Sequence, residues 1–370
     1  MIDIKIYGTG TPGQQLAKAK LVSVLQKAHI DFNVTEVNDI SDFINDKVVS
    51  VPAIRVNNED IYEIKPNGQY TQSLRDTIQS ILRMESYGDL PQFIVPTDFS
   101  EPSMNAYNFA NRLAKQMGGI IKLTHVYYPT SVDVNQYTIL DNEVESIHKD
   151  RLDAYSKSLN QDWLGNFVIE PFIESEFRVG FPKLEIIEMS KTPESAVVMG
   201  TTGAGDTFKK VFGSLTMDLV DECYAPLYLI PPHATLSDNG NLTYLSDNIK
   251  NDSQHVLYAA HIAMLFGYHF KVLHYTKNDD TSFNVSDCKA LLDNYFPNLT
   301  HSVEVQKTEN VFEEIEKEAS SPENAILAMS TKHRNIFQSI FHKSASEFAA
   351  MKAKVPLLIL SDRVKTKLKV

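Results

Sequence analysis

Short apolar runs alternate with stretches of helical periodicity along most of this chain, and the alternation occurs twice in the same order. In the first round Phe93-Ile94-Val95, Ile120 to Val126, Phe167 to Ile173, Ser195 to Val198 and Leu227 to Ile230 have the length and content of buried strands. Between them lie helical patterns. The first begins after Ser100-Glu101-Pro102 and carries Ala106, Phe109, Ala110, Leu113, Ala114 and Met117 on one face. Others span Asn142 to Asn160 and Phe181 to Met189. Strands that alternate with helices predict an α/β fold with doubly wound parallel sheets, covered on both faces. In open sheets of that kind, ligands sit at the carboxyl ends of the strands, where connections diverge.

The strand ending at Val198 runs into Met199-Gly200-Thr201-Thr202-Gly203-Ala204-Gly205-Asp206-Thr207-Phe208-Lys209-Lys210-Val211-Phe212-Gly213-Ser214. A helical pattern with Leu215, Leu219, Val220 and Cys223 follows. Glycine lets backbone N–H groups come close to phosphate oxygens, and a helix N-terminus favours an anion. Ser214 is placed to cap that helix, and Lys209 and Lys210 add positive charge inside the loop. Glycine content alone is equally met by an ordinary β–α loop. The spacing is more specific: Gly200, two residues, Gly203, nine residues, then Gly213-Ser214.

That spacing resembles the ATP-binding signature of the universal stress protein family. Phe93 to Ser100 looks like the family's first strand and Ile120 to Val126 like its second. The resemblance covers most of residues 92–362 and implies a function. Asp98 would contact adenine, and the backbone of Val126 would meet the adenine edge. Met199, Gly200, Gly203, Gly213 and Ser214 would hold ribose and phosphates. Lys209, Lys210 and Asp206 are further candidates for phosphate or metal contacts, with Mg2+ as the metal. ATP, ADP and AMP all fit this reading.

Residues 240–362 repeat the order of strands and helices. Leu242 to Asp247 matches the first strand, and Ala325 to Met329 matches the strand before the loop. Here Ser330, His333 and Lys343 stand where Gly200, Gly203 and Gly213 stand in the first round. Side chains then occupy the path a phosphate would need. This predicts a tandem pair, residues 92–234 with the motif and residues 240–362 with a degenerate copy. The last strands, Leu227–Ile230 and Val355–Leu360, are apolar edges that predict pairing of the two copies within one chain. A further homodimer of whole chains stays open.

Residues 1–84 form a separate unit, with strands at Ile4 to Tyr7, Phe32 to Val37, Val51 to Val56 and Ile61 to Ile64, and helices at Gln14 to Lys27 and Thr71 to Met84. Gly8-Thr9-Gly10-Thr11-Pro12-Gly13 fits a dinucleotide fingerprint, but the unit is too short for the paired halves of that fold. The order of elements, with Val51-Pro52 opening a hairpin, resembles a thioredoxin or glutaredoxin-like domain. Thr11-Pro12-Gly13-Gln14 stands where that family carries Cys-x-x-Cys, so the redox chemistry is missing. What remains is a module for a protein partner or an inert folding unit.

The chain of 370 residues has a formal net charge of −12, which argues against nucleic acid and anionic membranes as partners. No apolar run is long enough to span a bilayer, and the start is no signal peptide. Cys223 and Cys288 are the two cysteines, both within helical patterns, as expected of buried thiols in the cytoplasm. No P-loop, no paired Cys-x-x-Cys, no His-Glu-x-x-His and no Gly-x-Ser-x-Gly occurs. The resemblance to the universal stress protein family implies a cytoplasmic stress-response regulator that binds one adenine nucleotide, more a binder than a catalyst. The alternatives are a weak ATPase or phosphotransferase using the same site and a nucleotide-free scaffold.

Overall fold

The computed structural model describes residues 2–27, 31–57, 61–63, 90–128, 137–161, 171–201, 214–232, 234, 237–246, 248–277, 283–331 and 355–364. Its first elements are β1 (Ile2–Tyr7), α1 (Pro12–Lys27), β2 (Phe32–Val37), α2 (Ile40–Asn45), β3 (Ala53–Val56) and β4 (Ile61–Glu63). They form a four-stranded sheet in the order β2-β1-β3-β4. β2 runs parallel to β1, while β3 and β4 join by antiparallel pairing. The Val51–Pro52 peptide bond is cis. The expected helix over 71–84 lies outside the described residues. The six-residue α2 lies between β2 and Val51-Pro52 and is capped by Asp39, which accepts a hydrogen bond from the Ser41 N–H.

Gln14 explains how the loop after β1 is held. The side chain is buried; its Oε1 accepts from the Gly10 N–H at 2.7 Å, and its Nε2 donates to Asn38 Oδ1 at 3.1 Å. A Cβ on Gly8 would lie 2.5 Å from Gln14 Oε1, so a larger residue there would displace the Gln14 amide. The position therefore carries a structural amide and no thiol chemistry. The full chain is expected to reduce insulin no faster than the uncatalysed rate in a turbidity assay.

The large sheet follows. Its first part contains β5 (Gln92–Pro96), α3 (Glu101–Met117), β6 (Ile120–Tyr127), α4 (Tyr137–Leu159), β7 (Phe172–Val179), α5 (Pro182–Met189), β8 (Ser195–Gly200), α6 (Ser214–Glu222) and β9 (Leu227–Ile230). Its second part contains β10 (Asn241–Leu245), α7 (Ile249–Phe266), β11 (His269–Thr276), α8 (Val285–Tyr295), β12 (His301–Lys307), α9 (Val311–Ser320), β13 (Asn324–Ser330) and β14 (Leu357–Leu360). The ten strands lie in the order β12-β11-β10-β13-β14-β9-β8-β5-β6-β7. Every neighbouring pair is parallel except β9 and β14, which meet antiparallel with Leu229 opposite Leu357 and Tyr228 opposite Leu358. Each part thus has its first strand in the middle of its own five, and the two parts join through their last strands.

The core ignores the join. On one face Phe93, Val95 and Tyr228 pack in a single cluster with Tyr244, Tyr258 and Leu358. On the other, Ile94, Val197 and Leu229 cluster with Leu245, Leu327 and Ile359. The Tyr228 and Tyr258 hydroxyls lie 3.1 Å apart, both buried, one from each part. The N-terminal sheet packs elsewhere: Ile4, Leu21, Leu25 and Ile54 meet Leu90, Ile120 and Phe172. Ile120 and Phe172 are the first residues of β6 and β7, so this contact lies at the amino ends of those strands.

Two expectations need correction. Of the strand expected at Phe167 to Ile173, residues 167–170 lie outside the described residues, and the described strand is β7 at Phe172–Val179. β7 ends the strand order, and beyond Ile173 its residues are partly or fully exposed. An edge strand of this kind lacks the continuous apolar run used to find the others. Helix α4 begins at Tyr137, ahead of the helical pattern read from Asn142. The helical pattern around Cys288 is α8, whose start is set by Asn284, which accepts from the Ser286 and Asp287 N–H groups, and whose buried face carries Cys288 and Leu292.

Candidate functional site

The strand order reverses between β5 and β8: one neighbour of β5 is the next strand in the chain and the other is not. The chain continues from β5 to its neighbour β6 on one side and from β8 to its neighbour β9 on the other, the arrangement at whose carboxyl ends open α/β sheets place ligands. Asp98 follows β5, Val126 is the penultimate residue of β6, and Met199 and Gly200 end β8. These four predicted residues thus lie at the carboxyl ends of three neighbouring strands. Ser214 begins α6. Gly203, Asp206, Lys209, Lys210 and Gly213 lie outside the described residues.

The loop after β5 is shaped by local hydrogen bonds. Ser100 caps α3, with Pro102 in the first turn. The exposed Asp98 carboxylate accepts from the Ser100 N–H at 3.0 Å and from the Ser100 hydroxyl. Partial burial raises the Asp98 pKa, but these hydrogen bonds outweigh it and hold the carboxyl below its ordinary value. Asp98 is therefore an ionised acceptor at neutral pH. Phe99 adopts a left-handed backbone, φ 65°, which costs a bulky residue roughly 1–2 kcal/mol. Its ring is held between neighbours: His125 at 4.7 Å, Tyr155 at 5.5 Å, and the Arg151 guanidinium 4.2 Å from the ring centre.

Gly200 is required for a reason the loop motif did not suggest. A Cβ at this position would lie 2.3 Å from the Pro102 carbonyl oxygen and 2.5 Å from its carbon. The end of β8 runs directly beside the first turn of α3. The corresponding end of β13 is occupied differently: the buried Ser330 Oγ lies 3.0 Å from His255 Nδ1. Nearby, Ser246 Oγ donates to Asp252 Oδ2 at 3.0 Å. His333 and Lys343 lie outside the described residues.

His125 was not among the predicted site residues, and it lies on β6 within hydrogen-bond reach of the residue after β5. Its Nδ1 lies 2.8 Å from the Thr97 carbonyl oxygen and its Nε2 lies 3.0 Å from His148 Nδ1. A carbonyl only accepts, so Nδ1 carries the proton and Nε2 accepts from His148. The two rings are 10° from parallel with centroids 5.1 Å apart, the spacing of rings joined edge to edge. Burial lowers the His125 pKa, opposed by the bond to Thr97 and reinforced by the positive potential of His148 and Arg151. His125 is thus neutral at neutral pH. Among the described residues no cluster of three or more His, Cys, Asp or Glu side chains could hold a metal ion.

Residues 91–231 match the sequence profile of the universal stress protein family, and that span contains all of these strand ends. This part of the chain is a universal stress protein domain. The fold of a larger portion is similar to that of a universal stress protein from Archaeoglobus fulgidus, at 18% identity, a TM-score of 0.55, and coverage of 73% of this chain and 96% of that one. Universal stress protein UspA from Lactobacillus plantarum matches at 23% identity over 38% of this chain and 97% of its own, with a TM-score of 0.30. No curated protein matches the chain. At 18% identity the likeness to the Archaeoglobus fulgidus protein speaks for the fold, and the universal stress protein domain itself rests on the profile match.

Proposed function

We propose that this chain is a regulatory protein that binds one adenine nucleotide in its universal stress protein domain. The observation that carries the reading is the convergence of Asp98, Val126 and Gly200 at the carboxyl ends of neighbouring strands, at the point where strand order reverses. The group fits the donors there. Asp98 is an ionised acceptor for an exocyclic amine, and Val126 presents backbone groups along an edge. The loop bearing Gly203, Asp206, Lys209, Lys210 and Gly213 would take the phosphates, with ATP as the proposed ligand and Mg2+ as its counterion. Binding favours one conformation or assembly, and that state is the signal. The second part of the sheet is proposed as a degenerate partner copy. The chain is placed in the cytoplasm; among the described residues no helix is long and apolar enough to cross a membrane.

The N-terminal unit is proposed as a thioredoxin-like interaction module without redox chemistry. Its strand order β2-β1-β3-β4 supports that assignment, as does Gln14 at a position where catalysis would need a thiol.

Mass spectrometry of protein purified without added ligand, followed by calorimetry with ATP, tests the proposal. One site per chain is expected. Gly213→Val should weaken binding at least about tenfold, the loss of one or more charge-assisted hydrogen bonds. Asp98→Ala should reduce the preference for adenine over other bases, and Lys343→Val should change little. Two equivalent sites, or an unaffected Gly213→Val protein, would place the ligand elsewhere.

A further inference from the structure

The parallel ladder between β5 and β6 stops one rung short, and two side chains stop it. The Thr97 N–H donates to the Thr124 carbonyl at 2.8 Å, so Thr124 faces β5. Successive residues of a strand turn their N–H and C=O groups to alternate neighbours. Tyr127 accordingly faces β7, where its carbonyl accepts from the Gly180 N–H at 2.9 Å. Val126 therefore faces β5, just past its last residue. The next rung would join the Val126 N–H to the Thr97 carbonyl, and the Val126 carbonyl to the Phe99 N–H.

Both partners are taken. The Thr97 carbonyl accepts from His125 Nδ1 at 2.8 Å. The Phe99 N–H donates to Thr97 Oγ1 at 3.0 Å. Phe99 reaches that oxygen in its left-handed conformation. Val126 is left with a donor and an acceptor side by side at the carboxyl end of β6, beside the Asp98 carboxylate. His148 steadies the device by donating to His125 Nε2. The second part of the sheet keeps half of it. His274 Nδ1 lies 2.8 Å from the Ser246 carbonyl, at the same separation of 28 residues, but the Ser246 hydroxyl donates to Asp252 instead.

We propose that Thr97 and His125 are positioning residues that hold this rung open, so that the Val126 N–H and C=O can pair with a ligand edge presenting an acceptor next to a donor, as an aminopurine does. The inference deepens the proposed nucleotide site and rests on it for the ligand, though not for the open rung. A rung held open by side chains closes when they are removed: the Thr97 carbonyl and Phe99 N–H then find their ladder partners in Val126.

Amide hydrogen exchange on the full chain, resolved at single residues by NMR without ligand, tests this together with calorimetry using ATP. In the native protein the Val126 amide is expected to exchange at least about a hundredfold faster than the Thr124 amide. In the Thr97→Val plus His125→Phe protein it should become protected at least about tenfold, while ATP affinity falls at least about tenfold. Thr97→Ser, which keeps the hydroxyl, should leave both readouts at native values. A purely structural role predicts the opposite direction, with protection lost across β5 and β6. Native protection of Val126 equal to that of Thr124, or a double variant that binds ATP like the native chain, would overturn the proposal. If the native chain binds no ATP, the nucleotide reading fails, and exchange at Val126 still decides whether the rung is open.

Discussion

Gly200→Val is expected to destabilise the protein by about 3 kcal/mol, the upper end of what overpacking costs a well-packed interior. The new Cβ would lie 2.3 Å from the Pro102 carbonyl oxygen, and backbone has no rotamer with which to yield. Either β8 drops from its place beside β5, or the first turn of α3 lifts from the sheet. Both outcomes also disturb the loop bearing Asp98, so binding and stability should fall together. Urea denaturation followed by circular dichroism measures the first, and calorimetry the second. Gly267 supplies the control. Its φ is 68° and no heavy atom lies within 4 Å of an added Cβ. Gly267→Ala should therefore cost only about 1–2 kcal/mol, the strain of a left-handed residue. Equal losses at the two sites would show that contact with Pro102 is not what demands glycine at Gly200.

Leu229→Asp is expected to have a still larger effect, about 4 kcal/mol, by leaving an unpaired carboxylate where no water reaches. Leu229 is fully buried on β9, beside the antiparallel join, and packs in a cluster that runs through both parts of the sheet. Protonating the carboxyl is the cheapest escape, so the variant should recover stability as pH falls toward 5. The sign follows from linkage: a carboxyl whose native pKa is raised binds more protons folded than unfolded, so stability falls as pH rises through that range. Leu229→Met, similar in volume, should cost less than about 1.5 kcal/mol. Urea titrations at pH 5 and pH 7.5 check both. An Asp variant as stable as the Met variant would mean that the join is open to solvent.

Much of this architecture is written in consecutive residues. Ser195–Gly200 and Leu227–Ile230 are buried along nearly their whole length, so they read as unbroken apolar runs. Helix α3 announces itself through Ser100, Pro102, a buried stripe and Gly118 in the left-handed region. The α/β class and the strand-end position of Asp98 and Val126 follow from such signals. Edge strands do not send them: β7 is partly or fully exposed beyond Ile173, and the expected strand stopped there while β7 continues to Val179. The bounds of short or capped helices such as α2 and α8 depend on single Asp or Asn residues that look like loop.

What the sequence by itself determined is the order of elements, the faces they bury and the residue types gathered at the carboxyl ends of the strands. Tertiary structure decided what those residues touch. Gly200 looked like room for a phosphate, and its close neighbour is the Pro102 backbone. His125 looked like one histidine among eleven, and it holds the Thr97 carbonyl 28 residues away. The physical reason is range. Helical and strand periodicity arise from neighbours a few bonds apart, so a short window of sequence contains them. Which carbonyl a histidine reaches, or which backbone crosses a glycine, depends on how separate elements pack, and distances of a few tenths of an ångström decide it.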